Sequence, residues 1–169
     1  MWLRHHRVTW FWLTALIGLA SPWVAQTFNR PTQTDCIVSS IHDGDTLRAR
    51  CGGTPIKVRF YCIDTPEMAQ RPWGRESRDY LRKITPARVK IVKHATDRYG
   101  RVVGEVFAAD RSLNMAMVEA GMAAVYRRYC PSHAYAQAEE KARAARLGIW
   151  SRPGLQQRPW DYRAQRRRQ

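Results

Sequence analysis

The sequence predicts an α+β domain that is mainly β, with five short strands and three helices, and three observations carry that expectation. Apolar residues alternate with polar ones in short runs between residues 37 and 107, the period of a half-buried strand. Turn signals at Asp43-Gly44, Gly52-Gly53 and Gly100 separate those runs. Helical spacing then dominates the stretch after residue 112, with one earlier helical patch between strands. A length of 169 residues suits one ordinary domain with a core of its own.

The chain begins with a segment that does not belong to this domain. Arg4 and Arg7 precede an uncharged apolar run from Trp10 to Ala20, the layout of a secretory signal or a membrane anchor. Gly18-Leu19-Ala20 offers the small residues of a cleavage site with Pro22 close behind, whereas Trp23-Val24-Ala25 sets a bulky ring where a small side chain is wanted. Residues 1–25 are therefore expected either to be removed or to stay as a tether, the run being short for a full span. Either outcome predicts export: a secreted or periplasmic protein, or one anchored with its domain outside the cytoplasm.

From Asp35 the β pattern starts, with Ile37, Ser39 and Ile41 opposed to Val38, Ser40 and His42. A second strand puts Leu47, Ala49 and Cys51 on one face and Arg48 and Arg50 on the other. A third alternates through Ile56, Val58, Phe60 and Cys62, completing a meander. After the polar loop that follows Pro66, Tyr80, Leu81 and Ile84 mark a helix that Pro86 ends. Val89, Ile91 and Val92 carry a fourth strand, and residues 101–107 a fifth beyond the Gly100 turn. "SLNMAMVEAG" reads as a short helix stopped by Gly121. Residues 132–147 read as the last helix, with Tyr135, Ala138, Ala142 and Ala145 inward and Glu139 paired with Arg143 outside. Residues 152–169, with Pro153, Pro159 and a terminal arginine cluster, are expected to form a basic, extended or flexible tail, with Trp160 able to dock on the domain.

Charge narrows the function classes. With 29 Lys and Arg against 14 Asp and Glu, the net charge is +15; removing residues 1–25 takes two arginines and no acids and leaves +13. Such a surface attracts polyanions, meaning nucleic acid or an anionic membrane. Four cysteines show no CxxC spacing that would suggest zinc. A hairpin around Asp43-Gly44 sets Cys36 about opposite Cys51, as a cross-strand disulfide requires, and leaves Cys62 and Cys130 as the residual pair.

Against that basic background, carboxylates gather at the strand ends. Asp43 and Asp45 in "HDGDT" and Asp64 and Glu67 in "CIDTPE" fall at the ends of adjacent strands. Hard oxygen ligands without His or Cys suit Ca²⁺ or Mg²⁺, while Asp43 reads as a turn residue. Arg59 and Arg101 supply guanidinium forks that fit phosphate oxygens. Strict alternation puts Arg59 and Asp64 on opposite faces, so a shared site requires the strand to bend or end between them.

"DGDT", "VRFYCIDTPE", "TDRYGR", "LNMAMVEAG" and "ARAARLGIWS", in that order across residues 35–151, resemble the staphylococcal nuclease (thermonuclease) family. The resemblance implies a five-stranded oligonucleotide-binding-type barrel with three helices and a Ca²⁺-dependent nuclease acting on DNA and/or RNA. It further implies Asp45, Asp64 and the Thr65 carbonyl as metal ligands, and Glu67 as the residue that activates or positions the attacking water. Arg59 and Arg101 match the pair gripping the scissile phosphate, and Tyr99 lies beside the nucleotide. Tyr126 and Tyr129 partly match the base-pocket tyrosines, with Arg127 and Arg128 between them, and the loop after Glu67 is shorter than in the type member. Cleavage on the 5′-oxygen side, leaving 3′-phosphate ends, follows from the same resemblance. Single-stranded or breathing substrate is expected, from exposed aromatics on a basic surface. No protein partner is implied, and a monomer is expected. The rival expectation is a non-catalytic nucleic-acid-binding module of the same barrel at the cell envelope; a third is a basic structural protein of the envelope surface.

Overall fold

β-Branched and apolar residues at every second position build the sheet in the computed structural model, which describes residues 33–169. The expected signal or anchor at residues 1–25 lies outside the described residues. The elements run β1 (Gln33–Ile41), β2 (Thr46–Cys51), β3 (Thr54–Phe60) and the short β4 (Ile63–Asp64). Then follow α1 (Trp73–Ile84), β5 (Arg88–Thr96), β6 (Val102–Ala108) and the short β7 (Arg111–Ser112). The chain continues through α2 (Leu113–Glu119), the short β8 (Ala124–Val125), α3 (His133–Ala144) and α4 (Pro159–Arg166).

Five strands close into a barrel. β3, β2, β1, β5 and β6 pair antiparallel in that order, and a parallel pairing of Val58, Arg59 and Phe60 with Val102, Val103 and Gly104 joins the ends. Closure leaves these strands no long free edge. The inward residues Leu47, Val58, Phe60 and Val106 are essentially fully buried, and Leu113 and Met117 of α2 plug the same core. Asn114, buried on α2, ties helix to barrel: its Oδ1 accepts from Val106 N at 3.0 Å while its Nδ2 donates to the carbonyls of Tyr61 and Gly104. Disulfides join Cys36 to Cys51 across the first hairpin and Cys62 to Cys130 between the end of β3 and the segment after β8.

Three expectations need correction. The third strand stops at Phe60 rather than running to Cys62, because Cys62 takes a left-handed φ of 68° that no strand continues through. The tail is not an extended segment but contains α4, a fourth helix where three were expected. Pro159 stands at its first turn, where a missing N–H costs nothing. Glu139 does not face solvent with Arg143: it is 1 % exposed, and its carboxylate accepts from Val125 N at 2.8 Å and pairs with both Arg127 and Arg143. An alanine-rich helix packs closely enough to bring that carboxylate against an unpaired strand N–H, a demand set by the tertiary fold and not by helical period.

Candidate functional site

One end of the barrel carries an open cleft of about 860 Å³. Its floor starts at the Asp43-Gly44-Asp45 turn, where Asp43 Oδ1 accepts from Asp45 N at 3.2 Å. Gly44 is needed there because a Cβ would collide with the Ser77 side chain of α1, which is itself fixed by donating to the Met122 carbonyl at 2.7 Å. Asp45 is then held from three sides: Thr65 N and Oγ1 donate to its Oδ2 at 2.9 and 2.8 Å, and Thr46 Oγ1 to its Oδ1 at 3.1 Å.

The turn at Cys62 answers the question of strand faces. β3 ends and the chain reverses side, so Arg59 and Asp64, five residues apart, meet with Nη2 2.8 Å from Asp64 Oδ1 and 3.3 Å from Asp45 Oδ2. Asp64 is fixed by the pairing of β4 with β8, which sets it opposite Ala124, and Tyr126 N donates to the Cys62 carbonyl at 2.8 Å. The same pairing brings Tyr126 and Tyr129 to the rim, packed edge to face at 5.0 Å. Glu67 lies half-exposed at the other side of Asp64, its N–H bonded to Gln70 Oε1. Gly74 makes that loop possible, since a Cβ there would meet the Glu67 carbonyl.

Crowding of acids shows in their protonation. Burial, then the neighbouring Asp45 charge, raises Asp64, against the pull of Arg59 and Arg163. The same two causes push Asp43 up to about 6. Two buried carboxylates pressed together call for positive charge, which the Arg59 and Arg163 guanidiniums supply in this structure. Among the described residues no group of three or more His, Cys, Asp or Glu is arranged to hold a metal. The donors that are present, the Asp45 and Asp64 carboxylates with the Thr65 backbone adjoining, fit a hard cation that completes its shell with carbonyl and water oxygens.

The opposite wall is a hairpin turn. Asp97 Oδ1 accepts from Tyr99 N and Arg101 N, both at 2.9 Å, and its Oδ2 from Arg101 Nε at 2.7 Å. Partial burial works against it, yet these donors together hold Asp97 below the ordinary carboxylate range. Tyr99 is 67 % exposed, with the guanidinium carbons of Arg98 and Arg101 at 4.8 and 5.6 Å from its ring centre.

Every candidate site residue thus lines this cleft: Asp45, Asp64, Thr65, Glu67 and Arg59 on one wall, Tyr99 and Arg101 on the other, Tyr126 and Tyr129 at the rim. Arg163 was missed, and Trp160, expected to dock on the domain, does so at the rim of this cleft. Arg163 of α4 reaches in, Nη2 2.6 Å from Asp64 Oδ2 and Nη1 2.8 Å from Glu67 Oε1. Trp160 stacks on Tyr126 with centroids 5.3 Å apart and planes 2° from parallel. The available signal was a helix start in "RPWDYRAQRR", with proline at the first turn, an acid after it and arginines at the end.

Comparison with known proteins places this geometry. Residues 57–152 match the family described as staphylococcal nuclease homologue. A micrococcal nuclease of Shigella flexneri is 37% identical over 138 residues, covering 75% of this chain and 78% of its own. An uncharacterized endonuclease of Haemophilus influenzae is 36% identical over 118 residues, 69% of this chain and 66% of its own. A staphylococcal-like nuclease of Arabidopsis thaliana is 31% identical over 112 residues, with only 34% of its length spanned.

Proposed function

Because the chain belongs to the staphylococcal nuclease homologue family, we propose that it is a calcium-dependent nuclease hydrolysing phosphodiester bonds of DNA and/or RNA to 3′-phosphate ends. The observation that carries this reading is the junction of Arg59 with Asp45 and Asp64 at 3.3 and 2.8 Å, with Glu67 alongside in the same cleft. Asp45, Asp64 and the Thr65 carbonyl would hold the ion, which when bound supplies Lewis-acid polarisation of the phosphate.

The chain's own residues carry the remaining steps. Arg59, already oriented by two carboxylates, and Arg101, oriented by Asp97, neutralise the charge that builds on the phosphate oxygens. Glu67 aligns a water for in-line attack and takes up its proton. Tyr99 and Tyr126 offer ring faces on which unpaired bases stack, which favours single-stranded or breathing substrate. The two disulfides suit an exported protein, so secretion, or display outside the cytoplasm, belongs to the same proposal.

One observation favours a second reading, a binding module without turnover: Asp64 and Glu67 are both engaged by Arg163. Glu67→Gln separates the two. Turnover should fall about 10²–10⁴-fold, the usual scale for a lost general base, while affinity for single-stranded DNA stays unchanged. Parent protein that binds DNA and never cleaves it would establish the module instead.

A further inference from the structure

The C-terminal helix places two side chains where ligands of the proposed nuclease would go. Arg163 grips Asp64 through both guanidinium nitrogens, Nη1 to Oδ1 at 3.2 Å and Nη2 to Oδ2 at 2.6 Å, and Nη1 also reaches Glu67 Oε1 at 2.8 Å. Its positive charge thus sits between the carboxylate assigned to the cation and the one assigned to the water. Burial works to lower the Arg163 pKa, but Asp64 and Glu67 outweigh it, so the group stays charged. Trp160 covers Tyr126 in near-parallel stacking, the contact an unpaired base would make. Arg167 lines the same cleft. Positions 160, 163 and 167 share one helical face: Arg163 and Arg167 turn into the cleft, while Trp160 lies over Tyr126 at its rim and packs on Ala124, Ala142, Ile149 and Trp150.

The helix has only eight residues. Alone in water a helix of that length is not stable, so its order depends on being docked. The helix also lies beyond residues 57–152, the part that matches the family. A short element that is helical when docked, and that fills both the cation and base positions, has the properties of a two-state cover.

We propose that α4 is an autoinhibitory strap: the Arg163 guanidinium substitutes for the cation at Asp64 and Glu67, Trp160 substitutes for a nucleobase on Tyr126, and both ligands bind only when the strap leaves. This inference rests on the nuclease reading. Strap and ligands compete for the same atoms, so the apparent affinity of each ligand is lowered by the fraction of molecules whose strap is open.

The test is calcium titration of the full chain by calorimetry, without nucleic acid, for the parent, Arg163→Ala and Trp160→Ala. Arg163→Ala removes a positive charge from the site and would favour cations for that reason alone. Trp160→Ala leaves Arg163 and every carboxylate in place and loosens the strap by removing its stacking on Tyr126 and its seat on Ala124, Ala142, Ile149 and Trp150. Both variants should bind calcium about tenfold more tightly than the parent if the strap is docked in roughly nine molecules of ten. Calcium should also speed tryptic cleavage within residues 158–168 of the parent. Equal affinity of parent and Trp160→Ala, with no calcium effect on tail cleavage, overturns the strap and leaves the nuclease reading standing. Absence of calcium binding in all three folded proteins overturns the strap and the cation assignment together.

Discussion

On one wall of the cleft, Asp45 and Asp64 are buried and held by Thr46, Thr65, Arg59 and the β4–β8 pairing. On the other, Tyr99 and Arg101 ride on an exposed hairpin turn closed by backbone bonds between Asp97 and Arg101 and between Gly100 and Asp97, with the Asp97 carboxylate as the side-chain anchor of Arg101. The first wall is over-determined: its polar groups have several partners, and removing one leaves others buried and unpaired. The second has a fixed backbone but side chains that face solvent, so Tyr99 can adjust to whatever base or phosphate arrives. Phosphodiester cleavage is served by this division, with fixed geometry at the reacting phosphate and tolerance beside it.

Mutations on the two walls should therefore differ in kind. Arg59→Ala should have the largest combined effect on activity and stability: activity falls about 10²–10³-fold for the lost phosphate donor, and stability falls by about 2–3 kcal/mol because the guanidinium bridging Asp45 and Asp64 is gone, with Asp64 keeping only Arg163. Steady-state cleavage and denaturant unfolding of the same sample measure both. An Arg59→Ala protein of unchanged stability would mean the buried wall is no more constrained than the exposed one.

Gly44→Ala should come next, costing about 1–3 kcal/mol as the new methyl presses on Ser77. Activity should fall with it, since the turn carrying Asp45 must shift. On the exposed wall, Tyr99→Ala should leave the melting temperature alone and weaken binding to single-stranded DNA by about 1–3 kcal/mol, the scale of one stacked base. Asp97→Asn should be mildest, about 1 kcal/mol in strand affinity as Arg101 loses a charged partner. A folding defect in Tyr99→Ala would show that the hairpin is structural and would erase the distinction between the walls.

The β architecture could be read from the sequence because alternation through Leu47, Ala49, Val58 and Phe60 reports the buried face of the barrel, whereas in β1 a bulge between Val38 and Ser40 switches the face and leaves Ile37 exposed although Ile41 is buried. The meeting of Arg59 with Asp64 could not, since period alone puts them on opposite faces. It depends on the left-handed turn at Cys62, a position where glycine would have given a signal and cysteine does not. Resemblance of motifs supplied what period could not. Glu139 was misplaced because burial of a charge depends on the partners that tertiary packing brings, here Val125, Arg127 and Arg143. The tail was misread because Pro153, Pro159 and a run of arginines are the composition of a disordered end. Its docking is decided by Asp64, 99 residues away in sequence.

The most direct test of the central claim is release of acid-soluble nucleotides from heat-denatured DNA by the full chain, first with millimolar Ca²⁺ and then with a calcium chelator. A calcium-dependent nuclease releases nucleotides with calcium and none with chelator, and leaves 3′-phosphate ends on the products. No release by folded, DNA-binding protein, with other divalent ions also tried, would contradict it and leave a nucleic-acid-binding barrel in place of a nuclease.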